Sequence, residues 1–118
     1  MDKEWKIIFY EDANGCPMDD FLYSLPKDEK EKMTKAIEYL KSVGISLRRP
    51  QGDYLRDGIY ELRVVLSGDK IRTLYFFCFE TNIILTHSFI KTTKKVPDKE
   101  IERAIKYKER YLKLNQKK

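Results

Sequence analysis

The sequence has one histidine, two cysteines, four prolines and five glycines in 118 residues, and no long apolar run. Each scarcity excludes a class. A single histidine rules out a ribonuclease of the two-histidine type and an HExxH metalloprotease. Cys16 and Cys78 lie far apart, outside any CxxC or Cys/His cluster, so neither a disulfide scaffold nor a zinc site is expected and both read as free thiols. No apolar stretch approaches the roughly 20 residues that cross a bilayer. Charges interrupt the first apolar stretch, and no small-residue cleavage site follows it, so the start of the chain does not read as a signal peptide. A cytoplasmic protein is expected. There is also no GxSxG, no glycine-rich phosphate loop and no repeat, and the acidic residues fall mostly on helices and turns, which leaves a two-metal carboxylate nuclease unsupported.

What is present is a chain 42% hydrophobic and 13% aromatic, too apolar for disorder. Its length suits one domain, residues 1–118. The net charge of +5 is unevenly spread: residues 1–50 hold 9 basic against 10 acidic side chains, residues 51–118 hold 15 against 9. From Lys91 onward the ratio is 11 to 4. Such a field suits phosphates or an acidic partner, and equally a solvated lysine-rich helix.

Residues 5–10 are β-prone and end at a turn, giving a first or edge strand. A short helix is expected from Met18, and a longer one after Pro26, where Met33, Ala36, Ile37, Leu40 and Val43 form a stripe that Gly44 ends. Residues 45–56 read as a connecting loop. Three β-prone runs follow, 59–66, 71–79 and 83–90, forming an antiparallel meander, and Pro97 opens a final helix. The expected fold is α+β in the order β-α-α-β-β-β-α, a small antiparallel sheet with helices on one face and the other face free.

Strand alternation then sorts the side chains. With 67–70 as a four-residue loop, Val65 faces Arg72, and Glu61, Arg63 and Arg72 share a side. With residues 81–82 as a two-residue turn, Arg72 lies opposite Lys91, and His87 and Phe89 join that side. Leu62, Val64, Tyr75, Phe77, Phe79, Ile84 and Ile90 form the core on the other. A three-residue loop at 80–82 would instead send His87 and Lys91 to the core side.

Clustered arginine and lysine suit a phosphodiester, because guanidinium groups neutralise the phosphate and the extra charge of its transition state. RNA carries its own nucleophile: the 2′-hydroxyl attacks the adjacent phosphate given a proton acceptor, a proton donor and charge stabilisation, without a metal or cofactor. His87 is the side chain whose ordinary pKa lies near neutrality. It reads either as catalytic or as a hydrogen-bonded strand residue. Arg63 and Arg72, charges inside apolar strands, face a site or a structural ion pair.

The stretch Leu55-Arg-Asp-Gly-Ile-Tyr-Glu-Leu-Arg63, then Ile71-Arg72-Thr-Leu-Tyr-Phe-Phe77, then Leu85-Thr-His-Ser-Phe-Ile-Lys91-Thr-Thr-Lys94 and Pro97 with its helix resembles the RelE/ParE superfamily of type II toxins, nearest the phage-derived HigB-like branch. The resemblance covers most of the chain. It implies an endoribonuclease that cuts mRNA on the ribosome and inhibits translation, held inactive by a HigA-like helix-turn-helix antitoxin through which operator DNA is bound, with no membrane partner. It implies catalytic roles for Arg63, Arg72, His87 and Lys91, and RNA contacts for Glu61, Lys94 and Lys95. Where the branch commonly shows His-Gly-Phe and Lys-Lys, this chain has His87-Ser88-Phe89 and Lys91-Thr92. Tyr107 and Tyr111, at stripe spacing in the last helix, read as packing or rim residues rather than as the late tyrosine base of RelE. Two other functions remain open on the sequence: a ParE-like toxin that blocks DNA gyrase, and a module that binds RNA or protein without cutting.

Overall fold

Pro17 and Pro26 set the starts of the first two helices, each fixing φ just where a helix can accept a residue without an N–H. The computed structural model describes residues 4–116. A first strand, β1 (Lys6–Phe9), leads to α1 (Pro17–Tyr23) and α2 (Lys27–Val43). Met33, Ile37 and Leu40 are the buried stripe of α2, and Asp28 and Glu29 sit at its positive end. Gly44 ends α2 with φ of +55°, and a Cβ there would lie 2.0 Å from the Trp5 ring. After a 3-10 turn come β2 (Gly52–Arg56), β3 (Ile59–Leu66), β4 (Asp69–Cys78), β5 (Asn82–Ile90) and α3 (Asp98–Leu114).

The five strands form one sheet in the order β1-β5-β4-β3-β2, with β1 parallel to β5 and the remaining pairs antiparallel. The α+β class and the element order are as expected, with one strand added. Residues 45–56 do not all form a loop: β2 pairs with β3 across a two-residue turn at Asp57 and Gly58, both at positive φ. An Asp-Gly turn with that geometry matches the right-handed twist of the flanking strands.

The helices do not all lie on one face. Met18 of α1 and the α2 stripe pack against Leu62, Val64, Leu66, Ile71, Tyr75, Ile83 and Leu85. On the opposite face Ile101 and Ala104 of α3 pack against Ile59, Leu74, Phe76 and Ile84, joined by Tyr10. The physical reason is the amount of apolar surface on the second face: those four core residues need cover, and the Ile101/Ala104 stripe supplies it. Of the expected core, Leu62, Val64, Tyr75 and Phe77 sit under α1 and α2, Ile84 lies under α3, and Phe79 and Ile90 are exposed.

Ile84 changes sides because of register. The β4–β5 loop has three residues, Cys78 pairing with Asn82, and a bulge follows so that Tyr75 faces Leu85 while Leu74 faces His87. The unpaired Thr86 flips the alternation halfway along the strand. Arg72 therefore lies opposite Phe89 rather than Lys91. On the other side a two-residue turn at Ser67 and Gly68 pairs Arg63 directly with Arg72, where Val65 was expected. Both shifts move Arg72 by two places relative to its neighbours, and a two-residue shift preserves the face. Among the described residues no helix is long and apolar enough to cross a membrane.

Candidate nucleic-acid interface

The part of the second sheet face that α3 leaves open is a groove. β2, β3 and β4 give its floor, and the segment running from Lys91 to the first turn of α3 gives its wall. Its ionised lining is seven cations (Arg49, Arg56, Arg63, Arg72, Lys91, Lys94 and Lys95) against three carboxylates (Asp53, Glu61 and Asp98).

At the centre Glu61 stands between two arginines. Its Oε2 accepts from Nε of Arg63 at 2.9 Å and lies 2.9 Å from Nη2 of the same guanidinium. Its Oε1 lies 3.1 Å from Nε of Arg72. That second approach lacks hydrogen-bond alignment, and neither atom has another partner among the described residues. Arg72 is thus held by charge rather than by a directed bond. One further anchor is the donation from its Nη1 to the Ile71 carbonyl at 3.2 Å. A guanidinium has five donors, so most of its capacity is left for a ligand.

Burial is unequal. The Glu61 side chain is 3% exposed, that of Arg72 10%, and that of Arg63 28%. Burial draws the Arg72 pKa below its ordinary value and nearby Arg63 adds to this, while Glu61 opposes both. Lys91 is likewise lowered, first by desolvation and then by Arg72 and Lys70. Asp53 is held low chiefly by its hydrogen bond from Arg49, and it also lies 3.8 Å from Arg63. Arg56 is taken up by Asp57 and Asp98. Lys91, Lys94 and Lys95 make no ion pair with any described residue. The floor is neutralised and ordered, and the rim carries uncompensated positive charge.

Six of the seven site residues expected from sequence meet here: Glu61, Arg63, Arg72, Lys91, Lys94 and Lys95. His87 does not. It shares the sheet face, but α3 covers it; it is 1% exposed, its Nε2 donates to Glu100 Oε1 at 3.0 Å, and its Nδ1 is 3.0 Å from Thr86 Oγ1. Desolvation, with Arg103 assisting, lowers its pKa to about 4 against the pull of Glu100. Buried and bonded to Glu100, His87 fastens the first turn of α3 to β5 rather than facing the groove. Tyr107 stacks on Tyr10 at 4.4 Å between centroids and Tyr111 packs edge-on against Phe76.

Sequence reading missed Arg49, Asp53 and Arg56, which reach the groove only because β2 exists. The available signal was Asp57-Gly58 between Leu55 and Ile59, a hairpin turn with an apolar residue on either side.

The sequence model of the family described as Phage derived protein Gp49-like (DUF891) matches residues 20–109, from α1 through most of α3. That family is related to type II toxins, and the match is consistent with a toxin of a toxin–antitoxin system, whose general partner is a cognate antitoxin. No curated protein matches the chain.

Proposed function

The chain belongs to the phage-derived Gp49-like family, and on that premise we propose that it is a cytoplasmic type II toxin that cuts mRNA on the ribosome and is neutralised by a HigA-like helix-turn-helix antitoxin. The observation that carries the reading is the Arg63–Glu61–Arg72 array on the groove floor beneath the unpaired Lys91, Lys94 and Lys95.

The scissile phosphate sits over Arg72 and Arg63, with Lys91 beside it. The 2′-hydroxyl oxygen attacks phosphorus, its proton passing to a base, while the 5′ oxygen leaves and takes up a proton. The products are a 2′,3′-cyclic phosphate and a 5′-hydroxyl. Charge accumulates on the equatorial oxygens in the transition state, and guanidinium groups already ordered by Glu61 meet it without rearrangement. Lys94 and Lys95 hold the neighbouring backbone phosphates. Removing one such charge-stabilising donor costs about 10²- to 10³-fold in rate.

The test is inducible expression of wild type, Arg72→Ala and Arg72→Lys in a bacterial host, with growth followed and 5′ ends of cellular mRNA mapped. New in-frame cuts with wild type, absent with Arg72→Ala while both purified proteins melt cooperatively, support the reading. Growth arrest without cuts overturns it in favour of a non-nucleolytic target such as gyrase.

A further inference from the structure

A second basic surface lies outside the groove. Lys99, Arg103, Lys106, Arg110 and Lys113 follow one another along α3 at alternating spacings of four and three residues, which puts all five on one helix face. All five are exposed, on the side opposite the buried Ile101 and Ala104. At 1.5 Å per residue the row is about 21 Å long.

The row is fixed, and its three lysines are uncompensated. α3 is anchored by its apolar face and by Lys108, whose Nζ donates to the Asp57 carbonyl at 3.2 Å. Arg103 is steadied by its bond to the Tyr107 hydroxyl at 2.9 Å, and Arg110 by Asp12 at 3.3 Å. Lys99, Lys106 and Lys113 make no ion pair with any described residue, although Glu102 and Glu109 stand one turn before the last two.

We infer that this face of α3 docks on the phosphate backbone of a double-helical RNA. The surface is a rigid convex rod with a cation about every 5 Å, and backbone phosphates are recognised by such rows of lysine and arginine without reading sequence. Single-stranded RNA would also need aromatic faces for its bases, and the one aromatic ring beside the row, Tyr107, is stacked between Tyr10 and the Arg103 guanidinium. An acidic peptide would need apolar notches as well as charge. Of the exposed leucines, Leu112 faces away from the row, and Leu114 lies one turn past Arg110, beyond the row's end. The inference concerns binding alone, so it stands or falls apart from cleavage in the groove.

The experiment uses the full chain and a fluorescent RNA hairpin with a stem of about 16 base pairs, the span over which duplex-binding domains make contact. Its 2′-hydroxyls are methylated so that it cannot be cut. Anisotropy titrations at several salt concentrations compare wild type, the triple variant Lys99→Gln/Lys106→Gln/Lys113→Gln, and Lys27→Gln/Lys32→Gln/Lys35→Gln on the exposed side of α2. The triple variant should lower the slope of log affinity against log salt by about one for each lysine and bind the hairpin at least tenfold more weakly at low salt. The α2 variant, which removes the same charge from the opposite side of the sheet, should leave hairpin binding within twofold of wild type. Equal affinity and slope for wild type and the triple variant would overturn the inference. So would a triple variant that keeps the hairpin but loses binding to a polyglutamate peptide, which would assign the face to an acidic protein.

Discussion

Arg63 and Arg72 stand directly opposite each other on β3 and β4, with the buried Glu61 carboxylate touching both. Like charges directly across a ladder repel, so Glu61 is a condition of the array. Glu61→Ala should destabilise the fold by about 3–5 kcal/mol, the usual cost of breaking a buried pair from one side. Glu61→Leu/Arg72→Met, which removes both charges, should cost less than the two single substitutions added together. Urea denaturation of wild type, Glu61→Leu, Arg72→Met and the double variant decides this; full additivity would mean that the pair is uncoupled.

Lys94 and Lys95 should behave differently, because both are exposed and neither holds an ion pair with a described residue. Lys94→Ala/Lys95→Ala should leave the melting temperature unchanged and weaken binding of a single-stranded RNA oligonucleotide. The salt slope should fall by about two.

His87 gives stability a pH dependence. Its pKa drops from 6.5 in the unfolded chain to about 4 in the folded one. Between those values the unfolded chain binds a proton that the folded chain does not, so this contribution rises as pH climbs from about 4 to 6.5 and is lost on acidification through the same window. In His87→Gln, whose amide can still donate to Glu100 without titrating, the urea midpoint should vary less over that range than in wild type. Parallel pH profiles would refute the assignment.

Gly44 is constrained twice, by its positive φ and by the Trp5 ring. Gly44→Ala combines left-handed strain with overpacking, each about 1–3 kcal/mol. Trp5 is the single tryptophan, so its emission should shift red in the variant as the ring is displaced, together with a lower melting temperature.

Local signals were enough for β3 and α2, where alternation and a 3/4 stripe coincide with the buried residues. They also placed Glu61, Arg63 and Arg72 on one side, since a wrong loop length that errs by two residues leaves the face intact. Three features depended on distant partners. β2 is a strand because β3 lies beside it; nothing in Gly52-Asp53 favours extension. The three-residue loop moved Ile84 to the other core, and the bulge at Thr86, a property of the paired strands, returned His87 and Phe89 to the Arg72 face. The fate of His87 was decided by Glu100, thirteen residues on, and by α3 closing over it.

The parallel pairing of β1 with β5 also dictates an order of events. Lys6 finds its place against Asn82, 76 residues later, so the first strand made is among the last to dock. The β3–β4–β5 hairpins involve near neighbours and can form first. Only when β1 has joined β5 and α3 has closed over Ile59, Leu74, Phe76 and Ile84 are both cores sealed. A nascent chain lacking its last helix presents that apolar face to solvent, which makes it a substrate for chaperones and proteases before its basic groove has a wall.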